Sequence, residues 1–387
     1  MSLSIGIVGA GIGGLTVAAL LLRDGHDVQV CEQAAGFGAV GAGIQLTANA
    51  IKSLRPLGIC AHLRDRSFIA DAALNRDAVS GDVTHVLPMG AALERRYGAP
   101  DLMMQRHLLH DVLARQVPAP HVQFGRRLAT IEPGPVLVFE DGSRERVDLV
   151  IGADGIHSKV REHLLGAKAP RHTGRVAYRT IYPTSRLGGL PVDARAKWWG
   201  TDRHIVHYYV NPLHDQLYFI AVVPEPAYRH ESWSAVGDID ELLGAFSGFH
   251  PDAQAILAAA PEVRKWSLIE RDPLPQWHNG RIVLLGDACH PMLPFMAQGA
   301  ASAVEDAVIL VRCLHSLPLG TALERYEALR KPRTTRMQFT NRQNQWLKGR
   351  TDTDWVYDYD PWQVPLNEVR TAGGASADCV APAMPPA

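Results

Sequence analysis

SIGIVGAGIGGLTVAALLLRDGHDVQVCE, residues 4–32, decides how the rest of the chain is read. Ile5, Ile7 and Val8 form an apolar run that Gly9, Gly11 and Gly14 interrupt before a helical period is established, which predicts a buried strand. The glycines fit G-x-G-x-x-G: the first permits a tight turn, the second lets backbone approach a pyrophosphate, and the third lets helix pack on strand. A helix over 12–23 follows, stopped by Gly25, and a second strand over 27–31 leads into Glu32. A carboxylate about 20 residues past the glycines accepts hydrogen bonds from both hydroxyls of an adenosine ribose and repels a 2'-phosphate. The half-site therefore suits FAD or NAD and disfavours NADP.

Two further apolar strands end in turns of small or acidic residues. One, over 148–152, runs into Asp154-Gly155, with Arg161 on the helix that follows; the other, over 281–285, runs into Gly286-Asp287-Ala288 with His290-Pro291. In a doubly wound sheet the carboxyl ends of strands lie along one edge, so a single extended cofactor would be gripped at three points. Asp287 can accept two hydroxyl hydrogen bonds there.

Between these motifs, residues 49–57 have helical spacing, a β-rich stretch covers 68–87 with a turn at Ser80-Gly81-Asp82, and 104–117 reads as a helix with Arg106 near its start. A hairpin is expected over 136–147, strands of a second sheet over 178–223, and helices over 238–246 and 251–260. In RHIVHYYV, residues 203–210, alternation puts His204, Val206, Tyr208 and Val210 on one face and Ile205, His207 and Tyr209 on the other, and only one is expected to look inward. A helical region over 300–348 begins at Gln298-Gly299-Ala300, whose free N–H groups and positive dipole end can face an anionic ring. From Thr371 the chain is dominated by Ala, Gly and Pro, and disorder is expected.

Lys and Arg number 39 against 40 Asp and Glu, which leaves no basic field for nucleic acid and no polybasic membrane patch. Five cysteines lie scattered without C-x-x-C spacing, so neither a disulfide framework nor a metal site is expected. No apolar run is long enough to span a membrane, and the first strand starts too early for a signal peptide to precede it. A cytoplasmic protein, monomeric or homodimeric, acting on a small molecule is the expectation.

At this point the chain resembles the flavin-dependent aromatic hydroxylases, the single-component group that includes salicylate hydroxylase and 6-hydroxynicotinate 3-monooxygenase. The resemblance covers roughly residues 5–348 and rests on Gly9-x-Gly11-x-x-Gly14 with Glu32, Asp154-Gly155 with Arg161, and Gly286-Asp287-Ala288 with His290-Pro291. It implies an α/β fold: a Rossmann-like FAD-binding domain of the GR2 type over 1–74, 97–172 and 273–350, with the last part carrying the C-terminal helices. The implied β-sheet substrate domain takes 75–96 and 173–272, and 351–387 forms a partly disordered tail. FAD would be the cofactor and NADH or NADPH the co-substrate. Oxygen would be delivered from a flavin C4a-hydroperoxide to an electron-rich ring, with loss of a carboxylate in some cases.

The same resemblance assigns Glu32 to the ribose, Arg106 to the flavin side chain and phosphates, Asp154 to the neighbourhood of FAD, Asp287 to the ribityl hydroxyls and Pro294 to the flavin ring. Gly299 and Ala300 would face the flavin pyrimidine. Lys197-Trp198-Trp199, Arg203-His204 and the segment around Trp355 match the 6-hydroxynicotinate enzymes, which makes His204 and Tyr208 candidate pocket residues and candidates for the proton path. Two positions depart from those enzymes: Gln45 and Phe295 stand where histidines are expected. Gln45 can orient a hydroxyl or carboxylate, in contact with flavin or substrate, but takes no proton at neutral pH; Phe295 offers an apolar wall. A less polar pocket follows. The competing readings are an NAD-dependent dehydrogenase, against which the second sheet and the late Gly-Asp motif argue, a flavin halogenase, whose signature tryptophan segment is missing, and a non-catalytic scaffold of the GDP-dissociation-inhibitor kind.

Overall fold

The computed structural model describes residues 2–38, 41–232 and 235–367. The opening motif folds as its spacing predicts: β1 (Ser4–Val8), α1 (Ile12–Arg23) and β2 (Asp27–Cys31). β3 (Ala72–Asp77) comes next, then α2 (Arg106–Ala114), β4 (Leu149–Gly152) and α3 (Lys159–Leu165). The second sheet takes β5 (Arg171–Pro183), β6 (Arg195–Trp199), β7 (His204–Tyr209) and β8 (Gln216–Pro224). After α4 (Ile239–Ala245) and α5 (Pro251–Ala258), the chain adds β9 (Val263–Glu270) and β10 (Ile282–Leu284). It then forms α6 (Gly299–Ser316) and α7 (Leu319–Gln343).

β10, β4, β1 and β2 pair in that order, all parallel, and form the core of a six-stranded sheet. Ile5, Ile7 and Leu149–Ile151 are fully buried, as strands covered on both faces must be. The eight-stranded second sheet has the inner order β9-β5-β8-β7-β6-β3; its pairs are antiparallel except β6 with β3.

Several expectations need correction. Met104 belongs to a short strand, Leu102–Gln105, that precedes α2, because its side chain and those of Leu102 and Met103 are buried on a β ladder with Gly43–Leu46. The region 300–348 is two helices, since Leu317 leaves helical geometry ahead of Pro318, and α7 ends at Asn344 in the left-handed conformation. The hairpin over 136–147 carries a third strand, Leu128–Glu132.

The second sheet also looks inward on both faces. Ile205 packs with Phe219, Phe246, Ile256 and Leu257 in the core under α4 and α5, while His204, Val206 and Tyr208 face a cavity on the opposite side. Two-faced burial follows from the sheet lying between those helices and the nucleotide-binding half.

Residues 351–367 pack on the body. Asp354–Tyr357 is a short helix with Val356 and Tyr357 buried, the Trp362 indole donates to Ser53 O at 3.1 Å, and Lys52 Nζ donates to Asp358 O at 2.8 Å. The stretch from Thr371 lies outside the described residues. Among the described residues no helix is long and apolar enough to cross a membrane, and four cysteines are free thiols.

Candidate active site

One cavity of about 640 Å³ runs from the glycine turn to the second sheet. Its floor is built from Gly11, Ile12 and Gly13 at the start of α1, from Gly286 and Asp287 after β10, and from Gly299 and Ala300 at the start of α6. Two of these are helix starts, so the free backbone N–H groups of the first turns of α1 and α6 can face a phosphate or a reduced ring.

The residues present fit FAD on observations that do not depend on its being there. A Cβ built at Gly11 meets nothing within 4 Å, so the protein itself does not require glycine at that position, and the open space faces the cavity. At Gly14 a Cβ would lie 2.0 Å from the Gly9 carbonyl oxygen, which is the helix-on-strand contact the fingerprint requires. The Gly-Asp turn is held from behind: Asp306 on α6 accepts from Gly286 N at 3.0 Å and from His290 Nε2 at 2.5 Å, and pairs with Arg330 Nε at 2.7 Å. Burial alone would raise the Asp306 carboxyl, but His290 and Arg330 outweigh it and hold it at about 2. Glu305, beside it, is bound by Arg330 and Arg333 and accepts from Asn49.

The other candidate residues fall into three groups. Arg106 and Asp287 line the cavity and act on one another; burial depresses the guanidinium and raises the carboxyl, and each charge partly offsets the other's shift. Pro294 and Phe295 line it from the turn before α6. Glu32 and Asp154 are not among its lining residues. Glu32 accepts from Ala10 N at 2.8 Å and Ala34 N at 2.9 Å and so braces the glycine turn. Asp154 accepts from Lys159 N at 2.7 Å and Val160 N at 3.2 Å at the start of α3. Burial raises its carboxyl.

The ceiling is a grid. Asn75, Lys197, Val206, Ile220 and Arg179 pair one to the next across β3, β6, β7, β8 and β5, and all face the cavity. The flanking rows are Trp199–His204–Val222 and Arg195–Tyr208–Tyr218. Burial pushes the His204 imidazole well below its usual value, reinforced by Lys197 and Arg175, so it is neutral. Burial and Tyr218 push the Tyr208 phenol well up, so it keeps its proton. The Phe295 ring stands edge-on to His204 at 5.4 Å.

Gln45 is fixed at both ends. Its Nε2 donates to Asp101 Oδ2 at 2.7 Å and its Oε1 accepts from Arg195 at 3.1 Å. Burial raises the Asp101 carboxyl to about 6, although Arg195 and Gln45 draw it down. A side wall comes from Trp346 and Leu347, where Asn75 Nδ2 donates to the Leu347 and Lys348 carbonyls.

Arg179, Arg195, Asp101, Tyr218 and Lys197 were not singled out as site residues from the sequence. Arg195 and Lys197 had a signal, since they alternate with buried Ala196 and Trp198 and so share a face with Trp199. Lys197 is half-buried and lines the cavity, and its Nζ lies 3.7 Å from the centre of the Trp199 ring. Loss of hydration first, then Arg195 and Lys348, push its amine down to about 7.

Comparison with known proteins agrees with a nucleotide-binding fold over most of the chain. A family model described as "FAD binding domain" matches residues 2–340. The chain is 43% identical to a 6-hydroxynicotinate 3-monooxygenase of Bordetella bronchiseptica over 95% of its length and 98% of that relative. It is 35% identical to a 3-hydroxybenzoate 6-hydroxylase of Klebsiella oxytoca over 87% of its length and 86% of that relative. Among solved structures, Klebsiella pneumoniae HpxO complexed with FAD and uric acid superposes with a TM-score of 0.79 at 28% identity, covering 91% of this chain and 90% of that one. A family match across most of the chain, together with these relatives, means that the chain belongs to the FAD binding domain family, as one of its aromatic-ring monooxygenases.

Proposed function

We propose that the protein hydroxylates the ring of a hydroxylated aromatic or N-heteroaromatic carboxylate, taking electrons from NADH or NADPH, with or without expulsion of the carboxylate. The observation that carries this reading is the ceiling: Arg179, Arg195 and Lys197 surround an aromatic-walled space that is continuous with the glycine turn. A flat anion of one ring fits such a place, with its carboxylate toward Arg179 and Arg195 and its ring between ceiling and floor.

FAD, when bound along Gly11–Gly13, Arg106, Asp287 and the start of α6, supplies the redox chemistry and the activation of dioxygen. The chain binds and orients the ring, excludes water and manages one proton. Neutral His204 can accept a hydrogen bond and protonated Tyr208 can donate one, so together they orient a ring hydroxyl. Gln45, tied to Asp101 and Arg195, holds the rim of the cavity in one arrangement.

The departures at Gln45 and Phe295 favour a benzenoid acid over a pyridine acid, since neither side chain exchanges a proton with a ring nitrogen. The free thiols agree with action in the cytoplasm, where the protein works as a monomer or homodimer. The test is a panel of hydroxybenzoates and hydroxynicotinates supplied to the FAD-loaded enzyme, scored as hydroxylated product by mass and as nicotinamide consumed. Stimulated nicotinamide oxidation that yields only hydrogen peroxide for every member would refute the reading.

A further inference from the structure

Lys197 occupies the middle row of the ceiling, two residues from Trp199 on the same face and paired in register with Val206, so that it lines the cavity in the row between those of His204 and Tyr208. No hydrogen bond or ion pair to it is made among the described residues. Its contact is the Trp199 ring, which Lys348 also approaches, at 5.3 Å. Two lysines over one indole repel one another, and Lys197 is the one withdrawn from bulk water. The charges that act on it are Arg195 on its own strand and Lys348 on the side wall, with neutral His204 on β7 next to it; none is negative.

The neighbouring groups are poorly suited to remove a proton. His204 is too weak a base, Tyr208 holds its own proton, and Asp101, bound to Gln45, is not among the lining residues of the cavity. A buried amine facing a ligand space without a carboxylate partner is the arrangement in which lysine serves as a general base.

Resting on the reading of the protein as a hydroxylase of phenolic ring acids, we infer that Lys197 is a catalytic residue: its neutral amine accepts the proton of the substrate ring hydroxyl, and the resulting ammonium holds the ring oxygen as its anion. The proton passes from oxygen to Nζ and no other bond changes. The charge left on the ring is what makes its carbon a nucleophile toward activated oxygen. The ammonium, next to Arg195, is held more firmly while the anion is present, which couples its charge to occupancy of the site.

Two measurements test this, one of them independent of turnover. Competitive acetylation of substrate-free, FAD-loaded enzyme with acetic anhydride, read by peptide mass, titrates Lys197 directly; a midpoint near pH 7 is expected, and a midpoint near that of an ordinary lysine overturns the inference. The second is the pH profile of product formed, on the panel member that the wild type hydroxylates, for wild type, Lys197→Met, Lys197→Arg and Lys348→Met. The wild-type rate should rise through about pH 7. Lys197→Met and Lys197→Arg should lose that limb and slow hydroxylation by about 10²–10⁴-fold, the span of a positioned base, with FAD content unchanged. Lys348→Met removes a positive neighbour, so the Lys197 amine holds its proton more tightly and the limb should move to higher pH. A Lys197→Met enzyme with the wild-type limb and rate overturns the role of Lys197 alone. A wild type that hydroxylates no ring acid overturns the functional reading and this inference with it, whatever acetylation shows.

Discussion

Replacing Gly11 and Gly14 one at a time should separate the cofactor site from the fold. Gly11 has φ −73° and ψ −176°, an ordinary extended conformation, and a Cβ there meets no protein atom within 4 Å. Gly11→Ala should therefore leave the FAD-free protein within about 0.5 kcal/mol of wild type, as surface-type changes do. With FAD bound, the methyl enters the space through which the pyrophosphate approaches α1. Overpacking costs about 1–3 kcal/mol and a weakened charge-assisted hydrogen bond about 1.5–3 kcal/mol, which together weaken FAD binding by roughly 10²–10⁴-fold. Gly14→Ala acts differently. Its Cβ would meet the Gly9 carbonyl oxygen at 2.0 Å and the Ala153 methyl at 3.4 Å, so the turn must move and the FAD-free protein itself should lose several kcal/mol. The assay is urea unfolding of the stripped proteins beside flavin fluorescence titration of the same preparations. Gly11→Ala that binds FAD as wild type does, or that lowers the stability of the stripped protein as much as Gly14→Ala, would refute the placement of the cofactor.

Asp306→Asn should destabilise the protein by about 3–5 kcal/mol, because Arg330 is left buried without one of its carboxylates, and circular dichroism melts would show it. The Asp306 carboxyl lies at about 2, below its unfolded value near 4; its stabilising contribution is present above pH 4 and is lost as pH falls toward 2, and the variant should lack that part of the acid dependence. His204→Ala and Tyr208→Phe should lower product per nicotinamide more than they lower substrate affinity, by loosening the ring; unchanged coupling in both, measured by peroxide release, would show that the ring hydroxyl is oriented elsewhere. The double variant Gln45→His with Phe295→His should shift the kcat/KM ratio of hydroxynicotinate over hydroxybenzoate upward by about tenfold; an unmoved ratio would mean that these two positions do not set ring preference.

The nucleotide-binding half was legible because its signals are local. Gly9, Gly11 and Gly14 sit on one turn, and Asp287 directly follows its strand, so spacing alone places them. Glu32 was found the same way, though in the folded chain its oxygens bind Ala10 N and Ala34 N. The ceiling was half legible. Alternation put His204 with Tyr208, but which rows meet depends on the parallel pairing of β6 with β3, strands more than 100 residues apart, and no local pattern encodes that register. β9, VRKWSLIE, escaped notice because burial on nearly its whole length leaves no alternation to read. Lys197 entered only as part of the Lys197-Trp198-Trp199 match, because nothing in its own strand shows that the face it occupies lies over a cavity. The break at Leu317-Pro318 was visible in the sequence and was overridden by the helical periodicity on either side.

Because the second sheet has two buried faces, its strands carry two messages that take turns along the chain. On β7 and β8, Ile205, Phe219 and Ala221 answer to the helices behind the sheet, while Val206 and Ile220 line the cavity and only edge the core from outside it. Changing the half-buried cavity-facing residues therefore rewrites the ligand surface and leaves the packing behind the sheet intact. A combinatorial library confined to positions 206 and 220 would explore new substrates at little risk to folding, whereas the same effort spent one residue along would mainly collect proteins that do not fold.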